Sequence, residues 1–154
     1  MFIQTLVLLA SAVASFASPI ESRAWPSGTV TCGSHSYSVS AVKAAVSQGY
    51  SLINDPVGSS AFFLLSVPRD RELTPRSCAP TDSYPHKYNN YEGLELYCTG
   101  EKSYEEFPIL SSGSLYTGGS PGADRVVFST NGVYCAVVTH TGASGNNFVS
   151  CNGD

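Results

Sequence analysis

Apolar and polar positions fall into two regimes along this chain, a helical one near the start and a strand-and-turn one through most of the rest. Val39, Val42, Ala45 and Val46 recur at helical spacing behind a serine. This predicts a helix over residues 40–48, with Gly49 as its stop signal, covering one face of a sheet. Before it, Thr29-Val30-Thr31-Cys32 and Ser36-Tyr37-Ser38-Val39 read as a short hairpin. Further on, Leu94-Glu95-Leu96-Tyr97 alternates, Phe107-Pro108-Ile109-Leu110 is a short apolar segment, and residues 111–113 and 118–122 are turns. Residues 125–129 and 133–139 predict two strands joined by Thr130-Asn131-Gly132, a hairpin turn signal. Strict alternation puts Tyr134, Ala136, Val138 and His140 on one face and Cys135 and Val137 on the other. The pattern predicts an α+β domain, one helix packed on a twisted antiparallel β-sheet with a small N-terminal hairpin.

Two stretches break the pattern. Residues 84–93, Tyr-Pro-His-Lys-Tyr-Asn-Asn-Tyr-Glu-Gly, gather three tyrosines, two asparagines, a histidine and a carboxylate. Pro85, Asn89 and Asn90 favour irregular backbone there. Tyr88 and Tyr91 flank the asparagines, so a flat ligand such as a nucleobase would stack on phenol rings while backbone N–H groups and Glu92 bond its edge. The alternative is a tyrosine-rich hairpin that covers a small core. The second stretch, residues 61–82, joins the bare apolar run Phe62-Phe63-Leu64-Leu65 to three arginines among three prolines, and reads as an insertion.

At 154 residues the chain allows one domain with a modest core. Residues 1–17 have the form of a secretory signal peptide, with an apolar run at 6–14 and the small residues Ser15 and Ala17 at the cleavage positions. The run is too short and too early for a membrane span. Residues 18–23 are either the new N-terminus or a short pro-segment. The mature chain then meets an oxidising environment, where five cysteines pair rather than bind metal. No zinc-type spacing is present, and no cofactor or metal is expected. A net charge of −4 speaks against gripping nucleic acid through a basic patch.

Candidate chemistry lies at the strand ends. His140 ends one strand and is followed by a loop of small residues that permits close approach. Glu106 precedes an apolar strand, Arg125 begins another, and Tyr84 and His86 begin a third. An acid/base pair, potential cations and a phenol on one sheet face would suit phosphoryl transfer.

Three motifs carry a family resemblance. They are Ser83-Tyr84-Pro85-His86-Lys87-Tyr88-Asn89-Asn90-Tyr91-Glu92-Gly93, Gly118-Gly119-Ser120-Pro121-Gly122-Ala123-Asp124-Arg125-Val126-Val127 and His140-Thr141-Gly142-Ala143-Ser144-Gly145-Asn146-Asn147-Phe148. The sequence resembles the fungal guanyl-specific extracellular ribonucleases, nearly unbroken over residues 83–151 and more weakly over 32–58. The resemblance implies that Glu106 is the general base taking the ribose 2′-hydroxyl proton, with protonated His86 beside it, and that His140 is the general acid for the departing 5′-oxygen. Arg125 and Tyr84 would stabilise the phosphate oxygens, and Phe148 would shape the phosphate pocket. Tyr88, Asn89, Asn90, Tyr91, Glu92 and Asn146 would bind guanine, whose N1–H and amine match the two oxygens of Glu92. The implied protein is a secreted, monomeric enzyme for single-stranded RNA, acting on neither DNA nor membranes and needing no metal. It would make a 2′,3′-cyclic phosphate and then a 3′-phosphate. The rival is a ribonuclease-like effector that binds RNA or a host protein without cutting.

The chain also departs from the family. Relatives run almost directly from the position of residues 57–60 into Ser83-Tyr84, so residues 61–82 are either a genuine loop tied down by Cys78 or a retained intron. Cys32 and Cys151 match a family disulfide, whereas Ser36 stands where a second cysteine would close a short N-terminal bridge. Cys135, placed by alternation on the helix-facing side, is expected as a buried free thiol, which leaves Cys78 to pair with Cys98. Glu105 replaces an aromatic residue beside Glu106, and is expected to raise the pKa of the base slightly. His35 is expected as a surface turn residue without a role.

Overall fold

Helix α1, Val39–Ser51, begins where Ser38 in extended conformation accepts the Ala41 N–H at 3.2 Å. That side-chain cap satisfies a donor the first turn leaves open. In this computed structural model residues 25–58 and 83–154 are described; the signal peptide expected at 1–17, the insertion expected at 61–82 and Cys78 lie outside them. The helix outruns the expected 40–48 because Gly49 does not stop it. Gly49 is buried inside the last turns, where a Cβ would lie 2.8 Å from Phe128 Cε1 and 2.9 Å from Phe107 Cβ. The glycine serves close approach of helix to sheet.

The helix packs on a five-stranded antiparallel sheet of β5 (His86–Tyr88), β6 (Tyr104–Pro108), β7 (Asp124–Ser129), β8 (Tyr134–Thr139) and β9 (Val149–Ser150), each paired with the next in sequence. Strands β1 (Val30–Cys32) and β2 (His35–Tyr37) form the expected hairpin. Strand β3 (Val57–Gly58) pairs with β4 (Ser83–Tyr84), placing Gly58 opposite Ser83. Described chain on either side of residues 59–82 therefore meets at neighbouring positions. The α+β class predicted from the pattern is the class observed.

Two apolar clusters sandwich the sheet. Val42, Val46, Phe107, Val126, Phe128, Tyr134 and Val137 lie on the helix side. Tyr88, Cys98, Val127, Cys135, Ala136, Val138 and Phe148 lie on the other. Strict alternation fails in β8, where Val127 faces Ala136 but Phe128 faces Tyr134, so that Cys135 is an extra residue in a β-bulge. The bulge turns Tyr134 to the helix side and Cys135 away from it, opposite to the alternation expected.

This reversal corrects the cysteine assignment. Cys135 is no free thiol; it is bonded to Cys98, which therefore does not pair with Cys78. Cys32–Cys151 forms as the resemblance implied. Residues 94–97, read as alternating strand, join no ladder. Leu94 and Leu96 rest on the second cluster and Tyr97 N–H donates to the Cys135 carbonyl at 2.9 Å, so the segment lies across the sheet face. Beyond this, no described helix is long and apolar enough to cross a membrane.

Candidate active site

Strand register brings the candidate residues together. His86 is opposite Glu106, Glu106 opposite Val127, and Val127 opposite Ala136. One pleat along, Arg125 is opposite both Pro108 and Val138, and His140 lies two residues beyond Val138. Side chains two apart on a strand share a face. Glu106, His86, Arg125 and His140 therefore project from the face remote from the helix. Glu106 sits within β6, the third of its five residues, rather than preceding the strand as its sequence context indicated.

Glu106 is 5% exposed, and its Oε1 is 3.1 Å from His86 Nε2. Burial raises its pKa to about 7 against the pull of Arg125, with Glu92 and then Glu105 adding to the rise. The neighbouring glutamate thus acts as expected, but it is the smallest contributor. Arg125, 3% exposed, is clamped from two sides. Its Nη1 donates to the Pro121, Gly122 and Asp124 carbonyls, and its Nη2 donates to Tyr84 OH at 2.9 Å. The Arg125 guanidinium lies over the Tyr84 ring, 5.0 Å from ring centroid to Cζ, and that ring is 4.6 Å from the ring of His86. Glu106 Oε2 and Arg125 Nε are buried and have no hydrogen-bond partner among the described residues. Buried polar groups are nearly always paired, so an acceptor and a donor left open on one sheet face fit a polar ligand that supplies both.

His140 is fixed by the chain that follows it. Its Nδ1–H donates to the Asn147 carbonyl at 2.8 Å, and its ring stacks on Phe148 at 3.9 Å between centroids. A carbonyl only accepts, so Nδ1 keeps its proton and Nε2 is the nitrogen that gains or loses one.

The base-recognition candidates form a wall joined to this centre. Asn90 adopts φ 49°, a left-handed conformation that asparagine tolerates, and its side chain is spent on closing the turn. Its Oδ1 accepts from Leu94 N–H and Tyr88 OH, while its Nδ2 donates to the Leu94 carbonyl. Tyr88 is buried edge-on to Phe148, and burial, then Glu92 and Glu106, push its hydroxyl pKa upward, so it stays a neutral donor. Tyr91 is 89% exposed, leaving the two phenols in different surroundings rather than as a matched pair. Asn89 and Asn146 are exposed. Glu92 Oε1 accepts the Phe148 N–H at 2.9 Å, so one carboxylate oxygen is already engaged with the residue that stacks on His140.

One group escaped sequence reasoning. Asp124, 2% exposed, accepts from Tyr37 OH, from Thr139 Oγ1 and from His35 Nδ1 at 2.8 Å. His35 is thus a strand residue paired with a buried carboxylate, not the surface turn residue expected. The available signal was a lone acid opening the buried strand Asp124-Arg125-Val126-Val127-Phe128. Among the described residues, no group of three or more His, Cys, Asp or Glu is placed to hold a metal ion.

Comparison with known proteins agrees with this geometry. A family profile described as ribonuclease matches residues 25–152. Guanyl-specific ribonuclease F1 of Fusarium fujikuroi is 46% identical over 156 residues, spanning 99% of this chain and 98% of that protein. Guanyl-specific ribonuclease T1 of Aspergillus oryzae is 50% identical over 123 residues, 79% of this chain and 76% of that protein. Among solved structures, the ribonuclease He1 of Hericium erinaceus is similar with a TM-score of 0.50 at 30% identity, covering 81% of this chain and 99% of that one. The chain belongs to the ribonuclease family, and within it to the fungal guanyl-specific group.

Proposed function

We propose that this chain is a secreted, monomeric, guanine-specific endoribonuclease that cleaves single-stranded RNA on the 3′ side of guanosine. The observation that carries the reading is the buried Glu106 beside His86, with an open oxygen on the same sheet face as the open Nε of Arg125. Glu106 takes the 2′-hydroxyl proton, and its raised pKa matches a base working near neutrality. The freed 2′-oxygen attacks phosphorus while His140 gives its Nε2 proton to the 5′-oxygen as the P–O5′ bond breaks. Arg125 and Tyr84 meet the charge gathering on the non-bridging oxygens, and Phe148 holds the His140 ring. In the second stage the roles reverse: water adds to the 2′,3′-cyclic phosphate, and the bond to the 2′-oxygen breaks to leave a 3′-phosphate. The nucleophile belongs to the substrate, so DNA is inert and no metal takes part.

Guanine is read by Glu92, which accepts N1–H and the exocyclic amine, and by main-chain groups of residues 89–91 and Asn146. Tyr88 and Tyr91 supply the stacking surfaces. Adenine lacks the N1–H and leaves the carboxylate short of a donor, which costs about 1–3 kcal/mol. The deciding experiment is cleavage of GpC and ApC by the secreted protein with chelator present, beside a Glu106→Ala, His140→Ala double variant. We expect GpC to be preferred by about a hundredfold, with activity absent from the variant. Folded wild-type protein that cleaves neither would overturn the reading. Peptide mass spectrometry of the same protein tests the leader and the insertion. A start near residue 18 supports cleavage of a signal peptide, and a peptide from 61–82 supports a genuine loop over a retained intron.

A further inference from the structure

We propose that Asp124 is a positioning residue for the reaction, fixing Arg125 and His140 from the reverse face of the sheet. The inference rests on the ribonuclease reading above. It concerns a buried carboxylate that the mechanism does not use. Asp124 opens β7 directly opposite Thr139, which closes the described span of β8. Its Oδ1 accepts the Thr139 hydroxyl, and its Oδ2 accepts both the Tyr37 hydroxyl and His35 Nδ1–H. The Tyr37 hydroxyl also lies 3.3 Å from the Ile109 carbonyl, so the hairpin, β7, β8 and the chain after β6 meet at this one carboxylate.

What surrounds Asp124 in sequence gives the network its consequence. Arg125 is the next residue, and its guanidinium donates back to the Asp124 carbonyl at 2.9 Å. Thr139 Oγ1 donates to Asp124 and accepts from the Thr141 N–H at 3.0 Å, so both neighbours of His140 are tied into the cluster. The His140 N–H itself donates to the Ala123 carbonyl at 3.0 Å. The proposed phosphate-binding cation and general acid therefore hang on one two-residue step of paired backbone, and Asp124 supplies the side-chain bonds that hold that step. Three donors converge on a carboxylate that is 2% exposed, and a buried network of this kind fixes one geometry when every member is satisfied. Of the three donors to Asp124, His35, half exposed, is the one reached by solvent. Catalytic groups displaced by about an ångström lose turnover rather than affinity, because substrate still binds through the base site.

The test is Asp124→Asn, which keeps the shape but turns an acceptor into a donor against the hydroxyl and imidazole donors. It is assayed on GpC beside Ser38→Ala, a helix-cap change that lowers stability and removes none of the bonds to Asp124. We expect Asp124→Asn to lose about tenfold or more in kcat, with KM for GpC and Kd for guanosine within about twofold of wild type, whereas Ser38→Ala keeps wild-type kcat. The His140 Cε1–H proton resonance should move in Asp124→Asn and not in Ser38→Ala, a readout that needs no turnover. Thr139→Val removes the Thr139 bonds to Asp124 and to the Thr141 N–H while leaving the Tyr37 and His35 bonds to Asp124 in place, and serves if Asp124→Asn fails to fold; the same kinetic split is expected of it. Wild-type kcat and an unmoved His140 resonance in whichever of these two variants is folded would overturn the proposal. A wild-type protein that does not cleave GpC would count against the ribonuclease reading instead, leaving the resonance to decide this one.

Discussion

Glu106 is held where an ionised carboxylate is costly, and the role proposed for it depends on that cost. Its pKa rises from 4.5 in an unperturbed chain to about 7 when folded. Between those pH values the folded protein keeps a proton that the unfolded chain has released, so stability falls as pH rises through the window. The loss is on the order of 3 kcal/mol when complete. Glu106→Gln should therefore abolish cleavage yet raise the melting temperature at pH 8, with no gain at pH 4; equal melting temperatures at both would show that burial does not control this group. Arg125 opposes the rise, so Arg125→Ala should move the acid limb of kcat/KM to higher pH as well as lower the rate. Glu92 belongs at this scale too. Glu92→Gln keeps an acceptor for the Phe148 N–H but loses charge and one acceptor for guanine, and GpC over ApC selectivity should fall by about tenfold or more. Glu92 and Arg125 were legible in the sequence because each stands in one of the three motifs, whereas Glu106 stands outside them and was read from the apolar segment it precedes. The role of Asp124 was not legible, because its partners Tyr37, His35 and Thr139 come from distant stretches.

At the scale of elements, two features escaped local reading for the same reason: each is set by what packs opposite. Gly49 looks like a stop from sequence alone, yet it is the point where α1 touches Phe107 and Phe128. Gly49→Ala would gain about 1 kcal/mol in helix propensity and lose about 1–3 kcal/mol to overpacking. A fall in stability by urea denaturation is expected, and a rise would mean the sheet yields at that point. The bulge in β8 is likewise invisible to a two-residue period, since nothing in Tyr134-Cys135-Ala136 signals an extra residue. Its consequence is the Cys98–Cys135 bond, which ties residues 94–98, the continuation of the recognition wall, to the strand beneath the site. With a sequence separation of 37, this bond should contribute about 4 kcal/mol in the loop-entropy picture. A Cys98→Ser, Cys135→Ser protein should show that loss in denaturant, and a thiol titration of native wild type should find neither cysteine free.

The whole molecule was the most legible level. One strongly periodic segment and a series of short alternating ones leave few architectures other than a helix on an antiparallel sheet. The closure of the chain was legible only through resemblance: the Cys32–Cys151 bond spans a sequence separation of 119, and no local pattern encodes it. Net charge acts at this scale as well, and it sets a last expectation. The chain carries −4, its arginine in the cleft is buried, and its substrate is a polyanion. Approach of long RNA is therefore opposed by the field of the protein, while final docking relies on a few short-range contacts. The screening length is about 30 Å at 0.01 M salt and about 8 Å at 0.15 M, so added salt should remove the repulsion and leave the contacts. We expect kcat/KM on long single-stranded RNA to rise as salt increases over this range, and kcat/KM on GpC, which has one phosphate, to stay nearly level. A steep fall with salt on long RNA would be the signature of counterion release from a basic groove, and would require a cationic surface engaging the phosphates beyond the cleft.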